Sequence, residues 1–195
     1  MTVALHYHRS KTGVEATLAQ MQGEGHQLFQ ANLTEYPSVV ALAQSVQKKM
    51  GFVSILINNA ADFLPTPIPT ASEEQWDHLF SLNLKAPFFL TQALSSEMLQ
   101  HKEGKIINLT DVAGDNPWKE FIPYCSTKAG LVSMTKGFAK ALAPHVHVNG
   151  ISPGTVLPPA GSEEKTNVFV KNSLLQRMGS PADIVQAVDY LLHAD

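Results

Sequence analysis

The chain has 195 residues, of which 44% are hydrophobic and 16% charged, and its formal net charge at pH 7 is −3. This length suffices for one domain with a substantial core, and the composition excludes a disordered chain. The small negative charge gives no basic surface for nucleic acid, and no apolar run approaches the roughly 20 residues that span a membrane. A single cysteine, Cys125, and an N-terminus without the layout of a secretory signal predict a cytoplasmic protein.

Short apolar runs bounded by Gly, Asn or Pro alternate with longer stretches of helical spacing. The runs predict strands over residues 2–7, 26–33, 52–60, 104–110 and 146–152. The longer stretches predict helices over residues 13–23, 37–50, 73–99 and 122–142, followed by a last helix in "PADIVQAVDYLLHAD". Crossovers of this length join parallel strands, so the order predicts a single α/β domain with a doubly wound parallel sheet.

In such sheets ligands bind beyond the carboxyl ends of the strands, and unusual residues follow each predicted strand at that edge. They are His8–Ser10, Ala31–Leu33, Asn58–Phe63, Thr110–Asp111 and Ser152–Gly154. The consecutive asparagines after the third strand either cap a turn with their side chains or let the backbone approach a ligand closely. Asn83 is polar within an apolar helical stretch, so its amide needs hydrogen-bond partners.

Tyr124 and Lys128 are four residues apart and therefore share one face of the predicted helix. An ammonium beside a phenol can lower the pKa of the phenol and prepare it for proton transfer. The alternative is structural, in which the lysine only extends along a half-buried tyrosine toward water.

Together these motifs resemble the short-chain dehydrogenase/reductase family over residues 2–194: "NNAA" at 58–61, Asn83, "KIINLTD", "YCSTK" at 124–128 and "VNGISPG" at 148–154. The resemblance implies a Rossmann-type domain in which Tyr124 is the catalytic acid. It implies that Lys128 lowers the pKa of Tyr124 and holds the nicotinamide ribose, and that Asn83 supports a proton-relay water. The residues expected at the cofactor, with no metal, are His8, Arg9, Ser10, Asn32, Leu33, Asn59, Ala60, Ala61, Thr110, Tyr124, Lys128, Pro153 and Gly154.

The family's usual serine, thirteen positions before the tyrosine, is Asp111 in this chain. The aspartate at this position, together with the stretches "HYHRS" and "FLPTP", resembles the pteridine reductases of this family. That resemblance implies that Phe63 stacks on a pterin and that His8, Arg9 and Ser10 receive the 2′-phosphate of NADPH. The chemistry suits these residues, because an Arg binds phosphate through two parallel hydrogen bonds and a Phe face suits a flat heterocycle. The alternative is structural: Phe63 would be a hydrophobic loop residue packed on the surface, and Arg9 would be a charged side chain surrounded by water.

An aspartate differs from the usual serine because it can itself carry a proton. We expect Asp111 and Tyr124 to share proton delivery to a pterin nitrogen as a coupled pair. The alternative is that Asp111 only caps the turn into "VAGDN".

The family begins with a strand and a Gly-rich turn that hold the pyrophosphate, and it ends with a further strand. Neither is found in this sequence, so we expect a domain truncated at both ends, with exposed strand edges and poor NADPH binding. The resemblance also implies a homo-oligomer, dimer or tetramer, of the full-length protein. Three functions stay open: an NADPH-dependent reductase of a pterin-like small molecule, a general carbonyl or alcohol reductase, and a catalytically silent scaffold.

Overall fold

The computed structural model describes residues 1–157, 170–171 and 173–194. Its strands are β1 (Ala4–Tyr7), β2 (Gln27–Gln30), β3 (Ile55–Asn58), β4 (Gly104–Leu109) and β5 (Val146–Ile151). Its helices are α1 (Lys11–Gln20), α2 (Tyr36–Met50), α3 (Glu73–Phe80), α4 (Ala86–His101), α5 (Ile122–Leu142) and α6 (Pro181–His193). This alternation confirms the predicted parallel α/β fold. In this described part of the chain, no helix is long and apolar enough to cross a membrane.

The strands form two parallel sheets rather than one continuous ladder. β1 pairs with β2, and β4 lies between β3 and β5. In the larger sheet Asn58, Asn108 and Gly150 lie side by side in register, so the carboxyl ends of its strands meet at one edge. Among the described residues no strand pairs with the second edge of β1 or of β3, and the hydrogen-bonded ladder is interrupted there.

Helices cover the sheets and supply most of the core. Beneath the larger sheet Met98 of α4, Ile106 of β4 and Leu142 of α5 are buried together. Phe29 of the smaller sheet packs with α2 and with the start of α4, and α4 therefore belongs to both clusters. Ala43 of α2 is buried in the first cluster and Leu42 of α2 in the second, so α2 and α4 together join the two sheets through buried apolar surface.

The stretch predicted as one helix over residues 73–99 is broken by a π-helical turn at Ser81–Lys85. The amide of Ala86 donates to the carbonyl of Ser81, five residues earlier. Pro87 has no N–H to donate to the carbonyl of Asn83, four residues earlier, so a regular α-helix cannot continue through this turn. Asn83 consequently lies in an irregular segment, where it is buried.

Candidate active site

Buried polar side chains tie the edge of the larger sheet to α5. Asn58 Nδ2 donates to Oδ1 of Asn108 at 2.8 Å, and Asn108 Nδ2 donates to Oγ1 of Thr135 at 2.9 Å. The hydroxyl of Thr135 donates in turn to the carbonyl of Leu131 at 2.7 Å. Because a buried polar group is costly without a partner, this paired ladder fixes α5 relative to the strand ends.

Tyr124, in the first turn of α5, contacts the aspartate that follows β4. Its hydroxyl donates to Oδ2 of Asp111 at 2.6 Å. The other carboxylate oxygen of Asp111 accepts from the amide of Ala113 at 2.8 Å and caps a short 3₁₀ turn at Val112–Gly114. Asp111 therefore caps the turn, as one of the two interpretations expected, and also contacts Tyr124, while shared proton delivery remains a prediction. A distance of 2.6 Å is that of a charge-assisted O–H···O⁻ hydrogen bond.

Lys128 lies one turn further along α5 and is 4% exposed. Its Nζ donates to the carbonyl of Leu109 at 2.7 Å and lies 5.8 Å from the centre of the Tyr124 ring. Burial lowers the pKa of Lys128, because the charged form is poorly solvated, and the carboxylate of Asp111 opposes that shift. The lysine thus shares the helix face of the tyrosine, with its ammonium on a backbone carbonyl of β4.

The pKa of Tyr124 moves in the direction opposite to the one expected from sequence. Burial raises the pKa of its phenol, and the hydrogen bond and charge of Asp111 raise it further. The net shift is upward because burial and the carboxylate that the phenol faces act in the same direction. Tyr124 is therefore a neutral proton donor in this arrangement, and Asp111 is its acceptor.

The amide of Asn83 finds its partners in the loop after β3. Its Oδ1 accepts from the amide of Asp62 and its Nδ2 donates to the carbonyl of Asp62, both at 2.9 Å. Nδ2 also lies 3.3 Å from Oγ1 of Thr127 on α5. These contacts use the side chain to hold the loop beside α5. The proton-relay water expected at Asn83 remains a prediction.

Aromatic rings line one side of the Tyr124 phenol, and we name Phe63, Trp118 and Phe121 the aromatic wall. Phe63 is stacked on Phe121 at 4.2 Å between ring centres and meets the Tyr124 ring edge-on at 4.8 Å. Trp118 contacts both phenylalanines edge-on. Sequence reasoning selected Phe63 and missed the other two, although the spacing of aromatics just before Tyr124 was the available signal. Because Phe121 covers one face of Phe63, a flat ligand would stack on the opposite face.

The residues predicted at the cofactor lie in two groups. His8–Ser10 and Asn32–Leu33 follow the smaller sheet, where Gln30 Nε2 donates to the carbonyl of His8 at 3.1 Å. Asn59–Ala61, Thr110 and Pro153–Gly154 follow the larger sheet, where the hydroxyl of Thr110 donates to the carbonyl of Ile151 at 2.7 Å. No hydrogen bond between described residues joins the two groups.

Within the first group, two predicted residues have local structural contacts. Leu33 is buried in the core at 6% exposure, so only its backbone is available to a ligand. Asn32 Oδ1 accepts from the amide and hydroxyl of Thr34, and Asn32 Nδ2 donates to Glu35 at 2.8 Å. These bonds form the turn into α2. By contrast, the side chains of His8, Arg9 and Ser10 are exposed.

A parallel α/β fold with a tyrosine and a lysine of one helix at the carboxyl ends of its strands has the architecture of the dinucleotide-binding class. The sequence model described as short chain dehydrogenase matches residues 1–168, and the chain belongs to this family. The predicted family is thereby confirmed.

Curated relatives cover nearly the whole chain. A 3-oxoacyl-[acyl-carrier-protein] reductase, FabG, of Staphylococcus epidermidis is 32% identical over 97% of this chain and 80% of the relative. Nodulation protein G of a Rhizobium species is 32% identical over 94% of this chain and 77% of its own length. A 3-oxoacyl-[acyl-carrier-protein] reductase of Synechocystis is 31% identical over 98% of this chain and 78% of its own length. None of these three is named a pteridine reductase.

Proposed function

We propose that the protein is an NADPH-dependent reductase of a pterin, in which Tyr124 and Asp111 together deliver a proton to a ring nitrogen. The observation that supports this most strongly is the 2.6 Å hydrogen bond between the two side chains. In the proposed reduction of a carbon–nitrogen double bond the nitrogen takes up its proton before the hydride reaches the carbon, and the iminium formed in this way carries positive charge until the hydride converts it to a neutral amine. A carboxylate beside the phenol stabilises such a charge.

The same carboxylate acts against reduction of a carbonyl. Negative charge develops on the carbonyl oxygen as that bond is reduced, and a carboxylate close to Tyr124 repels it. A neutral serine at position 111 would not have this effect. The electrostatics of the Asp111 and Tyr124 pair therefore favour a nitrogen acceptor over an oxygen acceptor.

Proton delivery uses groups whose positions are fixed. Burial and Asp111 raise the pKa of the Tyr124 phenol, so the resting phenol is neutral and is not a base. The raised pKa also makes the phenol a weaker acid, so release of its proton relies on the positive charge of Lys128. Asp111 is held by the amide of Ala113 and keeps one oxygen on the phenol, where it accepts or returns a proton. Lys128 supplies positive charge at the same strand ends and lowers the free energy needed to place negative charge on Tyr124 and Asp111.

Two observations support a dinucleotide at the predicted cofactor residues, an exposed positive charge at Arg9 and open space at Gly154. Lys128 would hold the hydroxyls of a ribose, and the exposed guanidinium of Arg9 would bind the 2′-phosphate through two parallel hydrogen bonds. Arg9 forms no ion pair with any described residue. A Cβ at Gly154 would meet no atom within 4 Å, which leaves space beside the strand ends. When bound, NADPH supplies the hydride.

Substrate binding is assigned to the aromatic wall. Phe63 is 43% exposed and Trp118 is 40% exposed, so both offer ring surface to a ligand beside Tyr124. A flat heterocycle stacked on Phe63 would lie within reach of the phenol, whose ring is 4.8 Å away. Stacking of this kind contributes roughly 0.5 to 1.5 kcal/mol beyond the buried area.

A second candidate is reduction of a carbonyl, and the relatives named 3-oxoacyl-[acyl-carrier-protein] reductase favour it. The two candidates are separated by steady-state rates of NADPH oxidation with a dihydropterin and with an acetoacetyl thioester. We expect a higher kcat/KM for the dihydropterin. A higher value for the thioester would replace the first candidate by the second. The predicted homo-oligomer and cytoplasmic location remain predictions.

A further inference from the structure

The loop between β3 and α3 carries Phe63, and it is attached to its surroundings at three places. Both backbone polar groups of Asp62 are bonded to the side chain of Asn83. The amide of Thr66 donates to the carbonyl of Glu120 at 2.6 Å, next to Phe121 of the aromatic wall. The third attachment is a side-chain contact, in which Nε2 of His78 lies 2.5 Å from Oδ2 of Asp62.

His78 belongs to an element whose position is set by the core. It lies in the last turn of α3, and the neighbouring Leu79 is fully buried in a cluster with Tyr124 and Ala113. The start of α3 is held by a reciprocal capping pair between Ser72 and Gln75. A side chain on such an element can fix a loop, because its own backbone does not move with the loop.

We infer that His78 is a positioning residue for substrate binding: by bonding the Asp62 carboxylate, it holds the adjacent Phe63 ring against Phe121 and edge-on to Tyr124. The expected effect on KM for dihydropterin rests on the proposed function. The expected effect on the position of the loop does not. Asn83 bonds only the backbone of Asp62 and leaves its side chain free to rotate. The bond to His78 fixes that side chain as well. No predicted site residue performs the role assigned to His78.

The structural consequence is tested by hydrogen exchange at the Asp62 amide, which donates to Asn83. Because partly exposed pairs of this kind are weak, His78→Leu should speed that exchange by about two- to fivefold. His78→Gln, which keeps an N–H donor, should restore the slower rate. The matched control is His193→Leu, which removes the exposed His193 and Asp189 pair on α6. Equal exchange in His78→Leu and wild type would overturn the inference.

The kinetic consequence is a separate measurement on the same variants. His78→Leu should raise KM for dihydropterin by about two- to tenfold with little change in kcat, since a displaced Phe63 loses stacking and not proton transfer. His78→Gln should recover the wild-type KM, and His193→Leu should not alter it. A fall in kcat at unchanged KM would contradict positioning. If wild-type protein turns over no dihydropterin, the proposed function fails, whereas the exchange result still decides the role of His78.

Discussion

The Tyr124 hydroxyl donates a 2.6 Å hydrogen bond to Asp111, thirteen residues earlier in the chain. The second oxygen of Asp111 is held by the amide of Ala113, so the carboxylate cannot turn away from the phenol. This contact and burial both raise the pKa of Tyr124. The resting Tyr124 is therefore neutral and holds a proton for the proposed pterin reduction, although the raised pKa makes it a weak acid.

Replacing Phe63 tests the aromatic wall. Phe63→Ala should raise KM for dihydropterin by about two- to tenfold, because a stacking surface is lost, while NADPH affinity stays nearly constant. Steady-state kinetics and a calorimetric titration with NADPH measure the two effects. Phe88→Ala is the control, since Phe88 is similarly exposed at 38% and contacts Phe89 and Phe138. An unchanged KM in Phe63→Ala would remove Phe63 from the substrate site.

Arg9 determines cofactor preference if it binds the 2′-phosphate. Arg9→Ala should lose about 1.5 to 3 kcal/mol of the preference for NADPH over NADH, the value of a hydrogen bond to a charged group. The ratio of kcat/KM for the two cofactors gives this number. Lys11→Ala removes a nearby exposed cation that pairs with Glu15 and should leave the ratio unchanged. Equal use of both cofactors by the unmutated protein would rule the assignment out.

The raised pKa of Tyr124 predicts a pH dependence of stability. In the unfolded chain the phenol loses its proton near pH 10, whereas in the folded protein it keeps it to higher pH. The stability that this proton contributes is complete below pH about 10 and is lost as the pH rises further. Urea unfolding of wild type and Tyr124→Phe should be measured from pH 7 to 11. The difference between their free energies of unfolding should be constant up to about pH 9, and above about pH 10 the free energy of unfolding of the wild type should fall more than that of the variant. Parallel curves over the whole range would contradict the shift.

Close packing between the 3₁₀ turn and α5 holds Asp111 in place. A Cβ at Gly114 would lie 3.0 Å from the amide nitrogen of Ala129 and 3.1 Å from the carbonyl carbon of Lys128. Gly114→Ala should destabilise the protein by about 1 to 3 kcal/mol, because backbone atoms must move apart. Gly137→Ala, where a Cβ meets nothing within 4 Å, should stabilise α5 by about 0.5 to 1 kcal/mol. Urea unfolding measures both, and a neutral Gly114→Ala would disprove the packing argument.

Regular elements were predictable where local signals agree. α5 occupies the predicted residues 122–142, since Pro123 suits its first turn and apolar residues recur along it. The helical stretch predicted over residues 73–99 is formed, but its π-helical turn was not predicted, although the polar Asn83 had been noted and a proline lies four residues later. Apolar periodicity does not register a missing N–H, and the break became visible only from backbone hydrogen bonding.

The proximity of the candidate site residues was predictable, but their contacts were not. Tyr124, Lys128 and Asp111 were each selected from sequence, and they do lie together. The sign of the Tyr124 pKa shift was not predictable, because it depends on how deeply the phenol is buried and on its contact with Asp111. The spacing of four residues predicts that Lys128 and Tyr124 share one face of α5. It does not predict that the ammonium of Lys128 donates to the carbonyl of Leu109, because that contact depends on how β4 packs against α5. Contacts across elements of this kind require the folded chain.

Asp111→Asn separates the proton-carrying role of Asp111 from its structural one. The asparagine keeps the shape and an oxygen for the amide of Ala113, while it removes the ionisable group. Asp111→Ser is the second variant, since it restores the residue that the family usually has at this position. Unfolding by urea provides the control, and Asp111→Asn should be close to wild type in stability.

The most direct measurement of the proposed mechanism is kcat for dihydropterin as a function of pH in wild type and Asp111→Asn. If Asp111 and Tyr124 share proton delivery, the asparagine variant should lose about 10²- to 10⁴-fold in kcat and should lack the ionisation that wild type shows. Near-normal turnover with an unaltered pH profile in a folded Asp111→Asn protein would contradict the account and leave Asp111 as the cap of a turn.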